Sequence, residues 1–133
     1  MSKRIIIGVV SVIIVLLLVI GGSLLSTLKR YEKIISDVVI ETPDLSRVSD
    51  GTYNGSFEAI LISADVSVTV KNHSITGVDL VSHKNGRGAR AEVITDKVVS
   101  AQSLEVDTIT GATNSCLVIL KAIENALNAG LSN

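Results

Sequence analysis

"DVSVTVKNHSITGVDLV", residues 65–81, is the stretch on which the fold turns. Val66, Val68 and Val70 occupy every second position, with Ser67 and Thr69 between them. That is the period of a strand with one buried face. Lys71-Asn72-His73-Ser74 interrupts the alternation and reads as a hairpin turn. The β-branched run "SITGVDLVSH" then resumes it as a partner strand. Upstream, a turn at Asp50-Gly51 opens "DGTYNGSFEA", which sets Tyr53, Gly55 and Phe57 against Thr52, Asn54, Ser56 and Glu58. Three strands with short connections predict an antiparallel meander.

Beyond the third strand the pattern changes. "KNGRGAR" carries Gly86 and Gly88 and reads as a loop needing backbone angles closed to other residues. Ala91, Ile94, Val98 and Ala101 follow at helical spacing, predicting a modest amphipathic helix that ends near Gln102. Thr95-Asp96 is a possible N-cap within it. "SLEVDTITG" reads as a short extended piece. Cys116, Ile119, Leu120, Ile123 and Leu127 then line one stripe of a last helix, with Gly130 as its stop. The expected class is α+β: a small antiparallel sheet packed with two helices, preceded by an N-terminal transmembrane helix.

That preceding helix is "IIIGVVSVIIVLLLVIGG", Ile5 to Gly22, which contains no charge. At ~1.5 Å per residue it spans roughly 27 Å, close to the ~30 Å of a bilayer core. A cleaved signal peptide is the rival reading, since Lys3 and Arg4 precede the run. The run exceeds a usual h-region of about 7–15 residues and no small-residue cleavage site follows, so a retained anchor is expected. Leu24, Leu28, Tyr31 and Ile35 continue the helical spacing, with Lys29, Arg30 and Lys33 placed for headgroups. Basic residues flank both ends, so charge leaves the orientation near a tie; the short N-terminal tail favours a single-pass protein of the cell membrane with its C-terminal domain extracytoplasmic. The expected division is an anchor and juxtamembrane helix over 1–35, a linker over 36–47 around Pro43, and a folded domain over 48–133.

Composition narrows the function. The net charge of −1 gives no field for nucleic acid. The single cysteine, Cys116, excludes an internal disulfide and multi-cysteine metal sites, and reads as a small buried hydrophobe. His73 and His83 match no metal-ligand spacing and read as surface histidines. No metal site and no catalytic residue is expected. The aromatics Tyr31, Tyr53 and Phe57 are too few for a ring site built on stacking alone.

Chemistry concentrates in "DTITGATNSC", Asp107 to Cys116, at the mouth of the last helix. Thr110 is a candidate N-cap, because its hydroxyl can accept from a backbone N–H two or three residues on. Gly111 and Ala112 leave the approach open. Thr113 then falls in the first turn, where unsatisfied amides and the helix dipole favour an anion, phosphate above all. Plain helix capping explains the same residues, and the glycine-lysine pair of a nucleotide P-loop is missing.

"DTITGAT" resembles the flavinylation motif of the FMN-binding domain family: aspartate, two residues, Ser or Thr, then Gly-Ala-Thr. "DGTYNGSF" is similar to that family's opening strand. "ITGVDLVSHKNGRGARAEVITDKVVSAQSLEVDTITGATNS" follows its strand–loop–helix–motif order. The likeness runs from Asp50 to about Leu127. It implies that Thr113 takes FMN through a phosphoester bond, with Thr110, Gly111 and Ala112 at the remaining motif positions. It implies that Asp107 lies where a separate FAD-dependent flavin transferase and its metal-bound FAD engage. FMN would come from FAD, with AMP leaving, so this chain would be an acceptor and electron-transfer component, not a stand-alone catalyst. The partners implied are that transferase, the membrane, and redox proteins or a quinone reductase-like complex. Thr110 stands where serine is commoner. Under this resemblance Tyr53 or Phe57 would either stack on the ring or be core, and Arg87 and Arg90 would either neutralise phosphate or be solvated cations. Glu92 and Asp96 take no role. A module that holds FMN or another phosphate ligand without a covalent bond is the alternative, and a purely structural ectodomain a third.

Overall fold

The computed structural model describes residues 2–86 and 88–132. The chain forms two compact units, Met1–Lys33 and Ile34–Asn133. Helix α1, Lys3–Asp37, runs through the first into the start of the second, and none of its residues is buried. It is long and apolar enough to cross a membrane. Its leucines stand uncovered, with Leu18 70% exposed. The hydroxyls of Ser11 and Thr27 donate to the carbonyls of Ile7 and Ser23, four residues back, so neither is left unpaired in an apolar stretch.

The second unit holds the meander. Strands β1 (Gly51–Ala59), β2 (Ile62–Lys71) and β3 (Ser74–Lys84) pair antiparallel in the order β1-β2-β3. The alternation in β1 and β2 is as the sequence predicts: Val66, Val68 and Val70 are buried, and Thr52, Asn54, Ser56 and Glu58 are exposed. The β2–β3 turn falls at Asn72-His73, both with positive φ, the requirement of a two-residue hairpin matched to sheet twist. The carboxylate of Asp50 accepts from the Asn72 amide at 2.8 Å and ties this turn to the entry of β1.

Helices α2 (Ile94–Ala101) and α3 (Thr113–Ala129) cover one face of the sheet. All five predicted stripe residues of α3 are buried, and Val118, Ala122 and Ala126 widen the buried face. The helix lies close to β1: a Cβ on Gly55 would sit 2.1 Å from the Ala122 carbonyl oxygen. Only glycine permits that backbone contact. At the far end Tyr53 lays its ring on Gly130 and donates its hydroxyl to Ser49 O at 2.9 Å. Val48, fully buried, bridges to Leu131.

Several expectations need correction. A 3-10 turn, Ala89–Val93, precedes α2, and Thr95 is no N-cap; its buried hydroxyl donates back to Glu92 O. Ala101 is exposed, because α2 is only eight residues long and its last turn rolls off the core. "SLEVDTITG" joins no ladder. The side chain of His83 is 2% exposed, not a surface group: Nδ1 lies 3.2 Å from Glu92 Oε1, and Nε2 has no partner among the described residues. Its β3 position opposite Ala64 turns it to the covered face.

Candidate functional site

The segment between α2 and α3, residues 102–112, carries the motif without regular structure. Side chains hold it in place instead. Gln102 ends α2 in the left-handed conformation. Its carboxamide accepts from the Ile75 amide and donates to the Ile75 carbonyl, both at 2.8 Å, on the edge of β3. Leu104 is buried and its amide donates to Thr42 Oγ1 at 3.0 Å. Lys97 Nζ donates to the Asp107 carbonyl oxygen at 3.2 Å. Cys116 Sγ, fully buried, accepts from the Ile109 amide at 3.3 Å, so the lone thiol anchors the motif as well as filling the core.

The last step into the helix is a turn. The Ala112 amide donates to Ile109 O, and Gly111 has φ +81° at the third position of that four-residue turn. This is the position where a type II turn demands glycine. The turn displaces the helix start, which corrects the N-cap assignment. Ala112 is the N-cap, its own side chain makes no capping hydrogen bond, and Thr110 is exposed on the turn. Thr113 is the first helical residue and is exposed.

The first helical bond is that of the Cys116 amide to Ala112 O, at 3.0 Å. Amides before it, in the turn that carries Thr113, are the positive end of a 17-residue helix. Among the described residues, and its two chain neighbours apart, nothing lies within 4 Å of where a Cβ on Gly111 would point. An exposed hydroxyl on the first helical residue, helix-end amides and an unhindered glycine two residues before it together suit a phosphoryl group. Asp107 is exposed nearby in the chain and lines a shallow groove with Asp96, Lys97, Ser100 and Glu105.

The Gly-rich loop packs on the same helix end. A Cβ on Gly88 would lie 1.8 Å from Ser115 Oγ and 2.6 Å from Ser115 Cβ. Gly88 has φ −93°, so close approach and not backbone freedom requires it; Gly86, at φ +55°, does need that freedom. Arg90 is exposed on the 3-10 turn that follows; Arg87 lies outside the described residues.

Of the residues read from the sequence, Thr110, Gly111, Ala112 and Thr113 form one turn and helix start, and Asp107 leads into it. Tyr53 is not with them. It packs at the opposite end of α3, roughly 25 Å away for a 17-residue helix at ~1.5 Å per residue. Phe57 is half-buried beside Val39 and Lys121. The residues that sequence reasoning missed are Thr42, Lys97 and Gln102. Gln102, just past the last helical position, was the only one with a visible signal.

The FMN-binding domain family model matches residues 62–128, from the first residue of β2 to the end of α3. The chain belongs to the FMN-binding domain family. FMN is accordingly the cofactor of this domain, and the matched range contains the whole motif. No curated protein matches the chain.

Proposed function

We propose that this chain is a membrane-anchored electron carrier holding FMN in phosphoester linkage to Thr113, with its domain on the extracytoplasmic side. The observation that carries the reading is the exposed Thr113 at the start of α3, two residues after the unhindered Gly111. In the attachment step Thr113 Oγ attacks the FMN-side phosphorus of FAD. The Oγ–P bond forms as the pyrophosphate bond breaks, AMP leaves, and the hydroxyl proton passes to a base of the flavin transferase. The start of α3 would then supply a positive helix end to the attached phosphodiester, where helix-end N–H groups favour negative charge. Asp107, exposed at the head of the motif, offers the transferase a carboxylate. FMN supplies one- and two-electron chemistry, for exchange with redox partner proteins or a quinone reductase-like complex.

The test is flavin fluorescence of the denatured full chain, made with and without a flavin transferase, together with intact mass. The wild type is expected to keep its fluorescence and an FMN-sized adduct, and Thr113→Ala to lose both. Flavin that co-purifies but leaves on denaturation would identify the non-covalent module instead. A wild type that stays unmodified beside an active transferase refutes the linkage.

A further inference from the structure

The connector between α1 and the sheet lies outside the family match, yet it reaches the motif-bearing segment. Lys121 Nζ of α3 donates to Val39 O at 3.0 Å. Glu124, 7% exposed, accepts from the Glu41 amide at 3.2 Å while paired with Lys121 at 2.8 Å. These two bonds lay residues 39–41 along α3 and deliver Thr42 to the far side of the loop. There Thr42 Oγ1 accepts from the Leu104 amide at 3.0 Å and lies 3.2 Å from Ser103 Oγ. Ser103 Oγ in turn accepts from the Glu105 amide at 3.0 Å.

Each of the two hydroxyls already accepts one backbone amide, and either can donate its hydrogen to the other across the 3.2 Å between them. Thr42 therefore bonds two consecutive residues, Ser103 and Leu104, and Ser103 in turn holds the Glu105 amide. Without Thr42 the amide of buried Leu104 loses its acceptor, and a buried unpaired amide is costly. The next side-chain pin, Lys97 on the Asp107 carbonyl, is exposed and single. Between Gln102 and Asp107, Thr42 adds the hydrogen bonds that reach the segment from outside it, beside the burial of Leu104 and the local bond from the Val106 amide to Leu104 O.

We propose that Thr42 is a positioning residue for the Thr113 acceptor: by bonding Ser103 and Leu104 it holds Asp107–Thr113 in the shape the flavin transferase engages. This rests on the acceptor reading above. A side chain 61 positions before Ser103, ahead of the first strand, thereby becomes part of the acceptor's recognition.

The experiment uses the full chain in detergent, as wild type, Thr42→Val, Thr42→Ser and Ser103→Ala, each checked for folding by circular dichroism. Amide hydrogen exchange is read at Leu104 and Glu105. FMN incorporation by the transferase is measured against acceptor concentration. Thr42→Val, which keeps the shape and removes the hydroxyl, is expected to exchange Leu104 at least tenfold faster with β2 unchanged. Its KM as acceptor should rise several-fold with kcat nearly unchanged, because Thr113 itself is untouched. Thr42→Ser should restore both, and Ser103→Ala should speed Glu105 while sparing Leu104. Wild-type exchange at Leu104 in Thr42→Val overturns the proposal, as does fast exchange with an unchanged KM. If Thr42→Val fails to fold, Thr42→Ser and Ser103→Ala decide: a several-fold rise in KM in the former, or no change at Glu105 in the latter, overturns it. A wild type that accepts no FMN refutes the acceptor reading itself, and the exchange arm then still reports whether Thr42 holds the segment.

Discussion

Replacing Gly88 by alanine should disturb the site through one contact. The new Cβ would lie 1.8 Å from Ser115 Oγ, 2.6 Å from Ser115 Cβ and 3.1 Å from Asn85 O. Rotating Ser115 about χ1 relieves the first approach and leaves the second. Relief to an ordinary contact of about 3.4 Å then needs a shift of roughly 0.8 Å between the loop and the first turn of α3. Overpacking of this kind costs about 1–3 kcal/mol, and with Ser115 2% exposed the upper half of that range applies. For a unit of 100 residues, 2–3 kcal/mol is a fall in Tm of roughly 8–24 °C. Thermal unfolding followed by circular dichroism measures it. Ser115→Gly removes both offending atoms, so the double variant should lie within about 1 kcal/mol of Ser115→Gly alone, a coupling of about 2 kcal/mol. Additive effects, or a Gly88→Ala protein within about 0.5 kcal/mol of wild type, would refute the close-approach account.

Gly55→Ala should be the worse of two strand substitutions, at about 3 kcal/mol, because its Cβ meets the Ala122 carbonyl at 2.1 Å and the Ala126 amide at 2.5 Å. Gly77→Ala, with nothing within 4 Å, should be neutral or stabilising by up to about 1 kcal/mol in the same melts. Gln102→Ala should cost about 1–3 kcal/mol by leaving both backbone groups of Ile75 unpaired, and hydrogen exchange at the Ile75 amide should rise with it. The Ser46 hydroxyl, then the Ser46 amide, hold the exposed Asp44 carboxyl below its ordinary value of 3.8. A depressed folded pKa adds stability above that ordinary value and loses it as pH falls through the lower one. Ser46→Ala should move the Asp44 titration, followed by carboxyl carbon NMR, up towards 3.8 and lower the neutral-pH melt slightly, the group being exposed, with the difference vanishing below the depressed value.

What the sequence made legible was what obeys a period or a rigid local rule. Val66, Val68 and Val70 announce β2, Asn72-His73 its turn, and the stripe from Cys116 to Leu127 the last helix. The exposed Thr113 at the start of α3 was legible too, because the motif ends where the apolar stripe begins. The illegible parts are contacts between distant residues. Nothing near Thr42 signals Leu104, and nothing near Gly88 signals Ser115. Thr110 misled because capping preference is local, whereas Gly111 at φ +81° inserts a turn that moves the N-cap two residues on, to Ala112. His83 misled because its face depends on where the β2–β3 ladder is irregular, at Asp65/Val66 and Thr69/Val70, which alternation does not encode.

The Gln102 carboxamide has a consequence for assembly. It presents a donor and an acceptor in the plane of the sheet, and so behaves as a surrogate fourth strand one residue long. A foreign chain that tried to zip onto this margin would find its first docking point taken and would have to evict an amide that already makes a matched pair of bonds. The domain thus guards one flank of a three-stranded sheet with a single side chain, in the same residue that starts the chain toward its cofactor.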